Sequence, residues 1–82
     1  MARAKFHFHL TDGREAVLDQ VGVFGTFKNG VWSHAERVAR EAMASCQGQF
    51  DWSGWMVDVH DGAGRRVLLL DFAEVREERM AA

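Results

Sequence analysis

The stretch that decides the fold is Phe6-His7-Phe8-His9-Leu10-Thr11-Asp12-Gly13. Apolar and polar residues alternate along it and an Asp-Gly pair follows, which together form the strongest short-range signal for a β-hairpin. The signal returns near the other end of the chain, where a second alternating stretch, Trp55 to His60, runs into Asp61-Gly62-Ala63-Gly64. The sequence therefore predicts two hairpins. The second glycine-rich segment is expected to be a turn and not a phosphate-binding loop, because a strand follows it and not a helix.

A helix is predicted between the two hairpins. Ser33 with Glu36 three residues later fits a capping box, and Asn29 is the alternative N-cap. Gly48 supplies a stop signal. Small and apolar residues recur between these points at helical spacing and form one stripe, which consists of Ala35, Val38, Ala39, Ala42, Met43 and Cys46. Such small side chains allow the helix to lie close to a sheet, and they favour Cys46 as a buried small hydrophobe over a reactive thiol.

The predicted fold class is α+β, in the order β-β-α-β-β, with a four-stranded, mostly antiparallel sheet and one helix packed on one face. Strands are expected at about residues 4–11, 15–19, 55–60 and 66–72, with a turn at 19–22. Residues 23–28 fit either a loop or a short strand. Residues 1–82 are expected to form a single small domain, in which 73–82 are a polar C-terminal tail or a short helix.

The fourth predicted strand leaves the register of the core open. Its run Val67-Leu68-Leu69-Leu70 is apolar on both faces, so either Val67 and Leu69 or Leu68, Leu70 and Phe72 point inward. In the first of these registers, the predicted core consists of Phe6, Phe8, Leu10, Val38, Ala39, Ala42, Met43, Val57, Val59, Val67 and Leu69.

Composition limits the classes of function and partner that the chain can have. The chain has 82 residues and a formal net charge of -2. That charge argues against nucleic-acid binding, although Lys5, Arg14, Arg65 and Arg66 could form a small basic edge near several aromatic residues. The single cysteine, Cys46, cannot form an internal disulfide, which fits a reducing cytoplasm. No apolar run approaches the length of a membrane-spanning helix. We therefore expect a cytoplasmic protein without a membrane or nucleic-acid partner.

Four motifs occur in a defined order. They are Phe-His-Leu-x-Asp-Gly at 8–13, Asp-x-x-Gly at 19–22, an alanine- and arginine-rich helix at 35–42, and Val-x-Val-x-Asp-Gly-x-Gly-Arg-x-Val-Leu at 57–68. In this order and spacing, the chain resembles a family of small domains of unknown function from soil and plant-associated bacteria. The resemblance covers nearly the whole chain and implies a β-β-α-β-β domain, but no activity, cofactor or catalytic residue. The chain departs from the family pattern at His7, where an aromatic is usual, and at 24–32, where an acidic, proline-containing entry to the helix is usual.

Three histidines form the candidate metal site. His7 and His9 share one face of the first strand, roughly 6.5–7 Å apart along it. His60 joins them if the third strand pairs with the first, and Asp58 is the carboxylate on the same face. Three imidazoles on one face can bind Zn²⁺ or Ni²⁺ with an open position. The alternatives are an ordinary solvent-facing β surface and a histidine face whose titration tunes an interface. No resident cofactor is predicted.

Large aromatic residues around the predicted helix ends favour an interaction surface. Such residues either close the ends of the sheet as a small core or mark an interface. Together with the doubly apolar fourth strand, they predict a homodimer and an unidentified protein partner, with interface residues Trp52, Trp55, Leu68, Leu70 and Phe72.

An enzyme is not expected from these residues. Ser33 and His34 are neighbours in sequence, but a nucleophile and its base must meet in space with a third orienting group, and Ser33 is better explained as a cap. The leading hypothesis is a non-enzymatic, self-associating protein-interaction module. The alternative is a metal- or small-ligand-binding regulator that uses His7, His9 and His60.

Overall fold

A computed structural model describes residues 4–25, 30–45 and 50–75. In this part of the chain the elements are β1 (Ala4–Thr11), β2 (Ala16–Val17), β3 (Val23–Gly25), α1 (Trp32–Ser45), β4 (Met56–His60) and β5 (Arg66–Asp71). Residues 72–75 are also helical. The strands lie in the order β2-β1-β4-β5, and β3 also pairs with β1. Every pairing is antiparallel, so the predicted α+β class is confirmed.

The first hairpin differs from the prediction in its second strand. β2 has two residues, Ala16 and Val17, and pairs with the C-terminal end of β1. β3 then pairs with the N-terminal end of β1, so residues 23–25 are a short strand and not a loop. Residues 16–25 therefore act as one broken edge strand beside β1, and we call this segment the β2–β3 edge.

Aspartate side chains build the two hairpin turns. The Oδ1 atom of Asp12 accepts hydrogen bonds from the backbone N–H groups two and three residues further on, at 2.9 and 2.8 Å. The Oδ1 atom of Asp61 accepts from those two and four residues further on, both at 2.9 Å. Gly64 has a φ of 87°, which glycine adopts without steric cost. Both hairpins are confirmed, and the segment at 61–64 is a turn between β4 and β5.

The core lies between α1 and one face of the sheet. Ala35 and Ala39 on α1 are fully buried, so the small side chains bring the helix backbone close to the strands, as predicted. The buried apolar residues are Phe6, Phe8, Val31, Ala35, Ala39, Trp55, Val57, Val59, Leu70, Phe72 and Val75. Partly buried residues of the predicted core pack around this set, and they are Leu10, Val38, Ala42, Met43 and Val67.

The prediction that Leu69 belongs to the core is wrong. Leu69 is 45% exposed, whereas Leu70 is 1% exposed. Leu68 and Leu70 pair with Val59 and Val57 and share their inward face, which is the alternative register. The pairing shifts between Val59 and His60, and Arg66 lies opposite His60, so one extra residue of β5 occupies the bulge.

The predicted capping box is also wrong. α1 begins at Trp32, so Ser33 lies inside the first turn and is not the N-cap. The carboxylate of Glu36 instead accepts a hydrogen bond from Nε1 of Trp32 at 3.0 Å. The other predicted helix signals, Asn29, Cys46 and Gly48, lie outside the described residues.

Candidate functional site

The face of the sheet opposite α1 carries the three predicted histidines. His7 and His9 lie on β1, and β4 places His60 directly opposite His7. The ring centroids of His7 and His9 are 6.0 Å apart with nearly parallel planes. Those of His9 and His60 are 5.2 Å apart and perpendicular. Strand register therefore brings together three imidazoles that are distant in sequence, and we call this group the histidine cluster.

Hydrogen bonds to Asp19 set the ring tautomers of two of these histidines. The backbone N–H of Asp19 donates to Nδ1 of His9 at 2.9 Å, so the hydrogen of the neutral His9 ring lies on Nε2. Nδ1 of His7 lies 2.7 Å from the carbonyl oxygen of Asp19, so it donates and leaves the lone pair on Nε2. Burial, followed by the neighbouring imidazoles of His60 and His7, lowers the pKa of His9 below its ordinary value of 6.5. The surroundings of His9 therefore favour its neutral form.

Asp58 joins the histidine cluster to β5. Its Oδ1 atom lies 3.0 Å from Nε2 of His60 and 2.9 Å from Nε of Arg66, and its Oδ2 atom lies 3.2 Å from Nη2 of Arg66. Burial alone raises the pKa of Asp58, but the hydrogen bond from Arg66 and the nearby His60 outweigh it, so the pKa lies below 3.8. Asp58 is therefore ionised at neutral pH and paired with a guanidinium group.

One of the three imidazoles in the histidine cluster already uses its lone pair in a hydrogen bond. A metal ion needs a free lone pair from each imidazole, and His9 uses its own for Asp19. Within residues 4–25, 30–45 and 50–75, no group of three or more His, Cys, Asp or Glu side chains is arranged to hold a metal ion. We assign no metal here, and binding of Zn²⁺ or Ni²⁺ by His7, His9 and His60 stays a prediction.

The structure moves three of the predicted interface residues into the core. Trp55, Leu70 and Phe72 are buried, because their side chains lie on the face that α1 covers or at the end of it. The ring of Trp52 lies 5.2 Å from those of Trp55 and Phe72, and it is partly buried. These aromatics close one end of the sheet as a small core, which is the alternative that the sequence left open. Leu68 is also partly buried against the core.

Asp19 fills the gap between β2 and β3. Its Oδ2 atom accepts a hydrogen bond from the backbone N–H of Phe8 at 3.0 Å, which satisfies a β1 donor at the point where no edge strand lies alongside. Its Oδ1 atom accepts from the N–H groups of Val21 and Gly22, at 3.1 and 3.0 Å. The predicted turn at 19–22 is confirmed, and its aspartate also replaces part of the strand ladder.

Gly22 allows this turn to lie against β1. Its φ is 82°, and a Cβ atom at this position would lie 2.9 Å from Cε of Lys5 and 3.0 Å from Cε1 of His7. A larger residue would meet both a backbone strain and a close contact at this point.

Large apolar side chains are exposed along the β2–β3 edge. We define the edge patch as Val17, Leu18, Val21, Val23 and Phe24, whose exposed fractions run from 39% to 75%. The predicted set of interface residues contains none of these five, although Phe24 is one of the large aromatic residues that favoured an interaction surface. The signal was present in the run at 16–18, whose apolar residues are adjacent in sequence and so do not reveal an inward face, followed by apolar residues at 21, 23 and 24.

Residues 5–73 match a family model described as Domain of unknown function (DUF6894). The chain belongs to the DUF6894 family. The match spans nearly all of β1, the whole of β2 to β5 and α1, and the start of the helical residues 72–75, so the predicted resemblance to a family of unknown function is confirmed. No curated protein and no solved structure matches this DUF6894 chain. Within the described residues, none of its helices is long and apolar enough to cross a membrane.

Proposed function

We propose that this DUF6894 domain is a non-enzymatic protein-interaction module that self-associates through the edge patch. One observation carries the proposal: five large apolar side chains are exposed between residues 17 and 24, along one edge of the sheet. Single exposed apolar residues are normal on protein surfaces, whereas a cluster of them at one place is typical of an interaction site.

The position of α1 explains why the patch stays uncovered within the chain. α1 packs mainly over β4 and β5, which lie towards the opposite edge of the sheet from β2 and β3. Val17 pairs with Leu10 and so points to the helix side of the sheet, yet it is 58% exposed. Removing such side chains from water is favourable by about 25 cal/mol per Å² of apolar surface. Association of a second surface at this edge supplies the cover that α1 does not.

A second copy of the chain fits the edge patch as a partner. The carboxylate of Asp19, the acidic group inside the segment, is turned inward and accepts three backbone hydrogen bonds, so it presents little charge to a facing molecule. An apolar patch is complementary to itself, and a two-fold axis brings the same residues together from both protomers. Five side chains supply only part of the roughly 800 Å² per partner of a typical stable interface, so an affinity in the micromolar range is expected.

The titratable groups of the open face support a non-enzymatic role. Asp58 is paired with Arg66 and His60, and His9 accepts a hydrogen bond from the backbone of Asp19. These groups are engaged with one another and with the backbone, which is how structural polar networks are built. A cytoplasmic location belongs to the same proposal and rests on the single cysteine of the sequence.

Sedimentation equilibrium tests the proposal with two matched substitutions. Leu18 and Leu69 are both exposed leucines, at 61% and 45%, but they lie at opposite edges of the sheet. The wild-type chain is expected to form a dimer at micromolar concentration. Leu18→Lys is expected to weaken that dimer by at least about tenfold, and Leu69→Lys is expected to leave it unchanged. A monomeric wild-type chain, or a dimer that Leu69→Lys weakens and Leu18→Lys does not, would contradict the proposal.

A further inference from the structure

A cavity of about 540 Å³ lies on the helix side of the sheet, between β3 and the first half of α1. The buried side chains of Phe6, Phe8 and Val31 form its apolar floor, and Val23 and Phe24 of the edge patch also line it. Its volume falls in the range of small-molecule sites, which combine an apolar lining with a few polar groups. The cavity is separate from the histidine cluster, because the two lie on opposite faces of the sheet.

The polar groups at this cavity are cationic or hydrogen-bond donors. Ser33, His34, Arg37 and Arg40 line it, and no Asp or Glu is found among the described residues of its wall. Arg40 lies 3.8 Å from Glu36 on the same helix, so part of its charge is compensated. A cationic wall of this kind is notable in a chain whose net charge is -2.

His34 and Arg37 are hydrogen-bonded to each other in the wall of the cavity. Nη2 of Arg37 lies 3.1 Å from Nδ1 of His34 and donates to it, so the hydrogen of the neutral imidazole lies on Nε2. Burial, followed by the charge of Arg37, lowers the pKa of His34 below 6.5. The His34 ring packs against Phe8, with centroids 4.5 Å apart, which fixes its position above the apolar floor.

We propose that this cavity binds a small organic carboxylate with an apolar tail. The carboxylate pairs with the guanidinium of Arg37, and the tail lies on Phe6, Phe8 and Val31. Arg37 suits this role because a guanidinium can bind both oxygens of a carboxylate. The site goes beyond self-association, since it takes a small molecule on the helix side of the sheet, although Val23 and Phe24 of the edge patch also line the cavity.

Titration with a matched pair of probes tests this site. The probes are 4-phenylbutyrate and 4-phenylbutan-1-ol, which share the phenyl ring and chain but differ in the charged group. The acid is expected to bind with a dissociation constant below about 1 mM, and the alcohol at least about tenfold more weakly. Amide and ring NMR signals report where each probe binds, and the expected shifts lie at Phe6, Phe8 and His34.

Two arginine variants complete the test. Arg37→Gln is expected to weaken binding of the acid by about tenfold, while Arg65→Gln, in the exposed turn between β4 and β5 and outside the cavity lining, is expected to leave it unchanged. Circular dichroism shows that each variant is folded, and Arg40→Gln serves as the second variant if Arg37→Gln is not. The proposal is overturned if the acid causes no saturable shift, if acid and alcohol bind equally, or if the shifts are confined to Val17, Leu18 and Val21, the edge-patch residues outside the cavity lining.

Discussion

The two edges of the sheet limit pairing with another chain in different ways. β5 is an unbroken strand of six residues with a charged residue at each end, Arg66 and Asp71. Arg66 is held by Asp58, and the carboxylate of Asp71 accepts a hydrogen bond from the N–H of Ala73. Charged residues on an edge oppose pairing with another chain. Leu69 is the large apolar side chain that β5 leaves exposed.

The β2–β3 edge is instead broken in the middle. Its strands have two and three residues, and Asp19 occupies the interval between them. Such a break prevents a continuous ladder of hydrogen bonds with another chain. Five apolar side chains along the same edge are nevertheless exposed to solvent. An edge that is protected against backbone pairing can therefore still be an interaction surface, through side chains.

The largest expected effect comes from removing the group that holds the broken edge. Asp19→Ala deletes the acceptor for the N–H groups of Phe8, Val21 and Gly22, and it leaves the Phe8 donor unsatisfied. We expect a loss of about 2 kcal/mol in the free energy of unfolding, measured by urea denaturation. Asp12→Ala is the matched control, since its carboxylate accepts backbone hydrogen bonds in an exposed turn. Equal losses in the two variants would show that Asp19 acts only as a local turn residue.

A smaller effect is expected at Gly22. The change Gly22→Ala forces a side chain into a backbone with φ of 82° and against Lys5, whose flexible side chain can move aside. The expected loss is about 1 kcal/mol. Gly25→Ala, in β3 with open space at its Cβ position, is expected to change stability by less than about 0.5 kcal/mol. The same denaturation experiment compares them, and a Gly25→Ala variant that loses as much as Gly22→Ala would contradict this account of the turn.

The pH dependence of stability probes the contact between Asp19 and His9. The pKa values of His9 and His34 are lowered in the folded chain, so below about pH 6.5 the unfolded chain takes up protons more readily than the folded chain does. The free energy of unfolding is therefore expected to fall between about pH 7 and pH 5. His9→Asn retains an acceptor for the N–H of Asp19 but does not titrate. The free energy of unfolding of this variant should therefore decline less steeply with falling pH than that of the wild type, and the remaining decline is the contribution of His34. Identical slopes for wild type and variant would exclude His9 as a contributor.

Local patterns predicted the parts of the fold that depend on neighbouring residues. The alternation at 6–10 and the Asp-Gly pair located β1 and its turn, and the stripe of small residues located α1. The inward register of β5 could not be chosen, because its leucines are apolar on both faces and a bulge at Val59 and His60 shifts the pairing. β3 could not be assigned either, since it is placed by its pairing with β1, in which Val23 lies opposite Phe6, a residue distant in sequence.

In the candidate site, too, local patterns predicted only the part that depends on neighbouring residues. The sequence placed His7 and His9 on one face, and the pairing of β4 with β1 brings His60 beside them. The ring tautomers, which decide whether these lone pairs are free, depend on the backbone of Asp19 and were beyond prediction. Trp55, Leu70 and Phe72 were expected at an interface because a list of apolar residues does not show which of them the helix covers. The residues of the edge patch are apolar side chains that the core does not bury.

Intermolecular NOE spectroscopy on a mixture of isotope-labelled and unlabelled chains tests the central claim most directly. The methyl groups of Val17, Leu18 and Val21 report on the β2–β3 edge, and those of Leu69 report on β5. The account predicts contacts between copies at Val17, Leu18 and Val21, and none at Leu69. Contacts at Leu69 alone, or an absence of contacts in a sample at millimolar concentration, would contradict it, because either result places the interaction surface away from the edge patch.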